Sequence, residues 1–274
     1  MYSHELFLGI TLYDLCVAIG AVVAFLLFRL LSDRLHLSAR VTNLALVGGV
    51  VGIAIGLGAA TLLQAFYNFM AGEAFAIVEN TGSTFYGGLI GGIVGFLAVY
   101  LGGGARRLPK GAARASLSLV ASMAACSIAA AHGIGRIGCF FAGCCHGIVT
   151  EAWYGIYMPA VGARVLPTQL IEAIFLFALA ALLYTRAARG KRDGFFLYLT
   201  AYGVFRFFLE YLRGDYRGAS LVSFLTPSQL IALLMVAVGI SYYLLSESKK
   251  TENDGNEEEA AKTQDGEERA GGEE

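Results

Sequence analysis

Charged residues are scarce in this chain of 274 residues: Asp, Glu, Lys and Arg together make up 15%, whereas hydrophobic residues make up 57%. A soluble protein of this length carries more charge on its surface and cannot bury so much apolar side chain in one core. The scarcity of charge and a mean hydropathy of +0.63 therefore exclude a soluble globular protein and predict an integral membrane protein.

Two further features are missing. The amino terminus lacks the basic segment that opens a cleavable signal peptide, so the first apolar helix is expected to serve as insertion signal and anchor. An even set of extramembrane cysteines is also lacking. Of the five cysteines, Cys16 and Cys126 fall in apolar spans, where they pass as small apolar residues, and a disulfide scaffold is not expected.

Seven apolar segments are long enough to cross a membrane as helices. They run from about Leu6 to Leu31, Asn43 to Phe66, Thr84 to Leu101, Ala115 into the stretch 132–147, Pro167 to Tyr184, Phe195 to Leu212, and Pro227 to Leu245. The predicted fold class is therefore all-α, with one membrane domain of residues 1–246. Residues 247–274 are crowded with Asp and Glu and are predicted to form a disordered cytoplasmic tail.

The basic residues predict the orientation of these spans. Lys and Arg concentrate in the loops after spans one, three and five, whereas the loop after span two has none. The positive-inside rule then places the N-terminus outside and the C-terminus in the cytoplasm. Arg213 lies on the side predicted to be outside, so it needs a role other than setting topology.

Glycines recur at four-residue spacing in spans two and three. They are Gly48, Gly52, Gly56, Gly87, Gly91 and Gly95. Such rows let helix backbones approach closely, so most of them are predicted to serve packing. At the start of span three, Tyr86 precedes Gly87 and Gly88, where a substrate could approach the backbone. Asp14 in span one is expected either to cap a helix start or to face a polar cavity.

The stretch 132–147, HGIGRIGCFFAGCCHG, is the densest in chemical groups. Its members are His132, Arg136, Cys139, Cys144, Cys145 and His146. Three interpretations of the cysteines remain open: small residues in a tight turn with or without a disulfide, thiolate ligands of zinc beside a histidine, or a reactive thiol whose pKa the arginine lowers. The spacing C-x4-C-C-H is not a standard zinc pattern, and no metal or other cofactor is predicted.

Span six carries a polar face. Tyr202, Arg206, Glu210 and Arg213 recur at helical spacing. An unpaired arginine at the centre of a membrane helix costs roughly 2.5 to 3.5 kcal/mol, so Arg206 is expected to face inward, paired with Glu210 or bound to a ligand. Together with Arg136, these arginines suit the phosphate of an anionic phospholipid in an outward-facing cavity.

Four segments resemble the prolipoprotein diacylglyceryl transferase family. The run Gly135 to Gly147, GRIGCFFAGCCHG, is similar to the family signature G-R-x-G-N-F-x-N-x-E-x-x-G. TFYGGLIG from Thr84, LPTQLIE from Leu166 and YGVFRFFLEYLR from Tyr202 follow the family in the right order. The resemblance implies a multi-pass protein of a bacterial cytoplasmic (inner) membrane. It also implies transfer of a diacylglyceryl group from phosphatidylglycerol to a lipobox cysteine of an exported preprotein.

The same resemblance implies roles for individual residues. Arg136 and Arg206 would hold the phosphate and stabilise the leaving glycerol phosphate, with Tyr86 and His146 as further catalytic candidates. The implied substrate-binding residues are Tyr13, Gly87, Gly88, Gly138, Cys139, Cys144, Gln169, Glu172, Tyr202, Glu210 and Arg213. The implied partners are phosphatidylglycerol, the preprotein and the lipid bilayer, without nucleic acid.

The chain departs from the family signature at its polar centre. Cys139, Ala142 and Cys144 stand where the signature has Asn, Asn and Glu, and Tyr86 stands where the family has a histidine. Because tyrosine is a poor base at neutral pH, the general base is left open between Tyr86 and a histidine, of which His146 is the better placed. Other open functions are a related phospholipid-dependent transferase with a different acceptor, a membrane thiol oxidoreductase, and a non-catalytic lipid-binding protein.

Overall fold

The computed structural model describes residues 9–70, 72, 75–77, 84–215 and 224–246, leaving aside the side chains of Phe85 and Tyr86. Within these residues, seven helices are long and apolar enough to cross a membrane. The helices are α1 (Leu12–Arg34), α2 (Ala39–Met70), α3 (Phe85–Leu97), α4 (Gly103–Arg107), α5 (Ala112–Ala142), α6 (Thr168–Ala187), α7 (Gly194–Leu209) and α8 (Pro227–Ser246). A π turn (Ala98–Gly102) joins α3 to α4, so the two form one span, and α7 ends in a 3-10 turn (Glu210–Leu212). The predicted all-α fold with seven spans is confirmed.

Helix ends differ from the predicted boundaries because hydropathy does not report polar helix termini. Helix α2 runs to Met70 instead of Phe66, and α5 begins at Ala112 and continues to Ala142. The first part of the stretch 132–147 is therefore helical, and only its last five residues form a loop.

The start of α1 is set by a capping box. Thr11 Oγ1 accepts a hydrogen bond from the backbone N–H of Asp14 at 3.3 Å, and Asp14 Oδ2 accepts one from the backbone N–H of Thr11 at 2.9 Å. This reciprocal pair satisfies two of the N–H groups that a helix start leaves unbonded. Asp14 is thus a helix cap, which confirms the first of its two predicted roles.

The described residues form two compact units. The first unit comprises residues 9–138 and 173–195, with α1 to α4 and most of α5 and α6. The second unit comprises residues 139–172 and 196–246, with the last turn of α5, the loop that follows it, the first turn of α6, and most of α7 with α8. Arg136 belongs to the first unit, whereas Arg206 and Arg213 belong to the second.

In the first unit, helices α2 and α3 are in contact along their glycines. A Cβ atom on Gly52 would lie 2.9 Å from the carbonyl oxygen of Gly92, and one on Gly56 would lie 2.8 Å from that of Gly88. Neither position has room for a side chain. The predicted packing role of the glycine row is confirmed at these positions.

In the second unit, the loop after α5 leads into a short antiparallel hairpin that the sequence did not predict. Strands β1 (Ile156–Met158) and β2 (Ala163–Val165) pair directly. The loop also passes close to two other backbone segments at Gly147. A Cβ atom on this glycine would lie 2.7 Å from the carbonyl oxygen of Leu166 and 2.8 Å from that of Leu212. The last glycine of the stretch 132–147 therefore serves a close backbone crossing.

The predicted acidic tail, residues 247–274, lies outside the described residues. Its disorder and the orientation of both termini stay predictions.

Candidate active site

The second unit contains a buried ion pair between Arg206 and Glu210. Arg206 Nη2 lies 2.7 Å from Glu210 Oε2, and the two side chains are 8% and 3% exposed. The same Nη2 donates to Ser228 Oγ at 3.1 Å, and Thr226 Oγ1 donates to Glu210 Oε1 at 2.9 Å. The pairing that the sequence offered as one alternative for Arg206 is present in the structure.

The ion pair leaves part of the Arg206 guanidinium unused. Its Nη1 atom is buried and has no hydrogen-bond partner among the described residues. Buried donors in folded proteins are almost always paired, so such an atom calls for an acceptor. An anionic oxygen is the acceptor that a guanidinium bonds most strongly.

The amino end of α8 positions the partners of this pair. Gln229 donates its backbone N–H to Thr226 Oγ1 at 3.2 Å, and Gln229 Oε1 accepts the backbone N–H of Thr226 at 3.0 Å. With Pro227 in the first helical position, this is a capping box. Thr226 and Ser228 were missed as site residues, although the pattern T-P-S-Q could have indicated the cap. The positive end of the α8 dipole also favours the Glu210 carboxylate.

Arg213 is held by a second acidic partner. Its Nε and Nη2 atoms donate to the two carboxylate oxygens of Asp215 at 2.9 and 3.0 Å. Its backbone pairs with Gly147, so it lies directly beside the end of the stretch 132–147. Its Nη1 atom is also buried and lacks a hydrogen-bond partner within the described part of the chain. Asp215 is a further residue that the sequence did not single out.

Three predicted polar residues of the second unit lie at the start of α6 and on α7. Tyr202 donates its hydroxyl to Glu172 Oε1 at 2.7 Å, and Glu172 is fully buried. Gln169, which is also buried, donates Nε2 to the carbonyl oxygen of Cys144 at 2.6 Å. Helix α6 is thereby tied both to α7 and to the loop that carries the cysteines.

Cys139, Cys144 and Cys145, hereafter the three-cysteine cluster, lie at the turn that follows α5. Their Sγ atoms are all within 4.8 Å of one another. The turn has two residues in the left-handed region, Gly143 at φ +73° and Cys145 at φ +62°. The predicted tight turn is therefore present, and it gathers the three sulfurs in one place.

The thiol of Cys144 does not have the lowered pKa expected of a reactive cysteine. Its hydrogen bond with Cys139 lowers the pKa, but its hydrogen bond with Cys145, partial desolvation and repulsion from that neighbour raise it, and the net direction is upward. Cys144 therefore does not fit the interpretation of a reactive thiol with a lowered pKa, and that interpretation stays open for Cys139 and Cys145.

His146 is half-buried in the same loop. Its Nδ1 atom lies 2.9 Å from the carbonyl oxygen of Gly147. Because a carbonyl oxygen only accepts, this hydrogen bond requires the proton on Nδ1 and leaves the lone pair on Nε2. The geometry is compatible with the predicted role of His146 as a base, and that role stays a prediction.

In the first unit, Gly138 brings α1 and α5 together. A Cβ atom on Gly138 would lie 3.0 Å from Cys16 Cβ and 3.2 Å from Tyr13 Cδ2. Two predicted site residues, Tyr13 and Gly138, are thus in contact. Arg136 lies half-buried two residues earlier on α5, and a Cβ atom on Gly135 would meet nothing within 4 Å.

The predicted contact of substrate with the start of α3 has a competing structural explanation. A Cβ atom on Gly87 would lie 2.4 Å from the carbonyl oxygen of Ala59, so helix packing by itself requires glycine there. At Gly88 the nearest atom would be Ala60 Cβ at 3.6 Å, an ordinary contact. The side chain of Tyr86 lies outside the described part of the chain. Substrate binding by these three residues stays a prediction.

The sequence matches known proteins along most of its length. The model of the prolipoprotein diacylglyceryl transferase family matches residues 3–245. The phosphatidylglycerol–prolipoprotein diacylglyceryl transferase of Clostridium tetani is 33% identical over 247 residues, which cover 87% of this chain and 94% of the relative. The corresponding transferase 2 of Clostridium perfringens is 29% identical over 250 residues, which cover 86% of this chain and 91% of the relative. The relative in Geobacter sulfurreducens is 28% identical over 248 residues, which cover 87% of this chain and 91% of the relative. The resemblance read from the four sequence segments is confirmed, and this chain belongs to the prolipoprotein diacylglyceryl transferase family.

Proposed function

We propose that this multi-pass membrane protein transfers the diacylglyceryl group of phosphatidylglycerol to a cysteine thiol of a prolipoprotein. The cysteine sulfur forms a bond to the phosphate-bearing carbon of the diacylated glycerol. The bond between that carbon and the phosphate oxygen breaks. The thiol proton passes to a base, and glycerol phosphate leaves. Membership of the family and the names of the relatives support this reaction.

The observation that carries the proposal is the partly satisfied hydrogen bonding of the Arg206 guanidinium. Glu210 and Ser228 hold its Nη2 atom, while its buried Nη1 atom has no hydrogen-bond partner among the described residues. A phosphodiester oxygen would complete this donor. As the glycerol phosphate departs, the phosphate charge rises from about −1 towards −2. A fixed guanidinium therefore stabilises the transition state more than the bound lipid, which is the condition for catalysis.

Arg213 offers a second donor of the same kind. Asp215 fixes its Nε and Nη2 atoms, and the buried Nη1 atom is left for a further acceptor. A bidentate carboxylate partner holds the guanidinium plane in one orientation. We assign Arg213 to binding of the headgroup. The expectation that Arg136 also binds phosphate is based on the sequence motif and stays a prediction.

His146 is the proposed base for the acceptor thiol. With its proton on Nδ1, the Nε2 atom can take the thiol proton as the carbon–sulfur bond forms. The thiolate is the nucleophile, so removal of this proton precedes or accompanies attack. The acceptor would be a lipobox cysteine of an exported preprotein, and the enzyme would lie in the cytoplasmic (inner) membrane with its N-terminus outside.

The variant Arg206→Lys tests the phosphate role separately from the ion pair. Lysine keeps a positive charge for Glu210, but it has no counterpart of the Nη1 atom that is proposed to bind the phosphate. The assay supplies labelled phosphatidylglycerol and a lipobox peptide to the protein in proteoliposomes, and it measures the thioether-linked diacylglyceryl peptide. We expect product formation to fall at least about tenfold, the effect of one lost hydrogen bond to a charged group.

The matched control is Arg29→Lys. Arg29 also pairs with an acidic residue four positions on, Asp33, but both side chains are largely exposed. Product formation should then stay within about twofold of wild type, because exposed pairs contribute little. Activity of Arg206→Lys equal to that of this control would contradict the proposed phosphate contact.

A second candidate function, thiol oxidoreduction, is favoured by one observation, the grouping of three sulfurs within 4.8 Å. Replacement of the three cysteines by serine separates the two functions. Oxidoreduction must disappear in this variant, whereas phosphate binding through the arginines should largely persist.

A further inference from the structure

The sulfur atoms of the three-cysteine cluster lie at distances that suit a shared metal ion. Zinc and thiolate sulfur are bonded at about 2.3 Å, which places two sulfurs on one ion roughly 3.8 to 4.0 Å apart in tetrahedral or trigonal geometry. The three Sγ atoms are all within 4.8 Å of one another. Closing around an ion therefore requires movements of about 1 Å at most, which small side-chain rotations supply.

The backbone that carries these sulfurs is already fixed. Gln169 Nε2 donates to the carbonyl oxygen of Cys144 at 2.6 Å, and Thr168 Oγ1 donates to that of Cys145 at 3.1 Å. Both donors come from the first turn of α6 and are buried. The backbone N–H of Cys144 also donates to the carbonyl oxygen of Cys139 at 3.2 Å. An incoming ion would not have to order this loop, so little of its binding free energy would be lost.

One residue of the cluster is held in an unfavourable backbone conformation. Cys145 has φ +62°, in the left-handed region, which is unfavourable for an L-residue other than glycine. Residues in such conformations concentrate at ligand-binding sites and active sites. A glycine would relieve the strain at this position, but it would remove the third sulfur.

The set of donors determines which ions fit. The described residues contribute three thiol sulfurs and no carboxylate to this group. Soft thiolates select Zn²⁺ and Cu⁺ over Mg²⁺ and Ca²⁺, which require oxygen ligands. Zn²⁺ would keep a water molecule in the fourth position, and Cu⁺ would be satisfied by three sulfurs. Binding would release the thiol protons to the buffer, because the thiolate is the form that ligates a metal ion.

We propose that Cys139, Cys144 and Cys145 form a binding site for one thiophilic cation, Zn²⁺ or Cu⁺. The bound cation ties the last turn of α5 to the loop that leads to His146. The proposal selects metal ligation among the three interpretations left open for these cysteines, although no metal was predicted from the sequence, and it uses none of the arginines assigned to phospholipid.

Metal titration of the full-length protein tests the site. The protein is purified in detergent, reduced, freed of metal and titrated under anaerobic conditions, with Zn²⁺ in one arm and Cu⁺ in the other. Each arm contains a chromophoric chelator that competes for the ion, and elemental mass spectrometry gives the stoichiometry. We expect one cation per chain in at least one arm, accompanied by protection of the three cysteines against maleimide labelling.

Single serine variants identify the ligands. Loss of a residue that only hydrogen-bonds a metal ligand lowers metal affinity by about 10- to 100-fold. Loss of a ligand itself should cost at least as much, so Cys139→Ser, Cys144→Ser and Cys145→Ser should each weaken binding by at least that factor. Cys16→Ser and Cys126→Ser are the matched controls, since both cysteines lie in membrane-spanning helices of the first unit, and they should bind as wild type does.

Two results would overturn the proposal. One is the absence of stoichiometric binding in both arms, and the other is binding that persists when all three cysteines of the cluster are replaced by serine. Circular dichroism on heating checks that each variant is folded. If Cys145→Ser does not fold, the variants at Cys139 and Cys144 decide the question by themselves.

Discussion

Replacing Glu210 by Gln removes the charge from one partner of a buried ion pair while keeping the shape of the side chain. Glu210 lies 2.7 Å from Arg206, and the two side chains are 3% and 8% exposed. The amide oxygen of Gln can still accept the hydrogen bond from Thr226, so the packing is largely retained. The guanidinium, by contrast, loses its counter-charge. Breaking a buried pair in this way costs about 3 to 5 kcal/mol of stability. We expect the lower end of that range, because Ser228 still accepts from Arg206.

The same change should reduce catalysis, because Glu210 fixes the direction of the guanidinium. A hydrogen bond to a charged group contributes about 1.5 to 3 kcal/mol. If that contribution is lost in the transition state, kcat/KM falls by roughly 10- to 150-fold, at about 1.4 kcal/mol for each factor of ten. Thermal unfolding in detergent and thioether formation in proteoliposomes measure the two effects on the same preparation.

The matched control is Asp33→Asn, which removes the charge from an exposed Arg–Asp pair at the same helical spacing. It should change activity by less than about twofold and stability by less than about 1 kcal/mol. Glu210→Gln that unfolds at the wild-type temperature and retains full activity would show that Arg206 does not depend on Glu210 for its stability or its orientation.

Three further predictions concern other parts of the molecule. Gly56→Ala places a Cβ atom 2.8 Å from a carbonyl oxygen of α3 and should lower stability by about 1 to 3 kcal/mol. Gly58→Ala is the control, since a Cβ atom there would meet nothing within 4 Å, and it should not lower stability. Thermal unfolding of both variants measures the difference. Thr226→Ala removes a helix cap and a donor to the buried carboxylate and should destabilise the protein by about 1 to 3 kcal/mol, again measured by thermal unfolding. Because the pKa of Cys144 is raised, its alkylation rate should rise with pH along a curve displaced above that of an ordinary thiol. Cys145→Ser, which removes the neighbouring sulfur that raises this pKa, should shift the curve to lower pH; an unchanged curve would contradict that cause.

Features that depend on neighbours in sequence could be predicted. The seven spans follow from local hydropathy, and the packing role of Gly52 and Gly56 follows from their four-residue spacing. Arg206 and Glu210 face each other because residues four apart lie on one side of a helix. Each of these inferences needs only the period of the helix and the character of the side chains.

Features that join distant segments could not be predicted. Ser228 lies 22 residues from Arg206, and Gln169 lies 25 residues from the Cys144 carbonyl that it holds. No periodicity connects such pairs. The grouping of the three cysteines depends in addition on the left-handed conformation of Cys145, which a residue with a side chain rarely adopts. The hairpin of β1 and β2 was missed because its strands have only three residues each.

The most direct test of the proposed reaction counts both products in one vessel. Proteoliposomes containing the protein, phosphatidylglycerol with a labelled headgroup glycerol, and a lipobox peptide are sampled over time for thioether-linked diacylglyceryl peptide and for released glycerol phosphate. We expect the two products to rise together, with one glycerol phosphate released for each modified thiol. Peptide that is modified without release of glycerol phosphate, or carries an acyl thioester in place of the thioether, would contradict the proposed reaction.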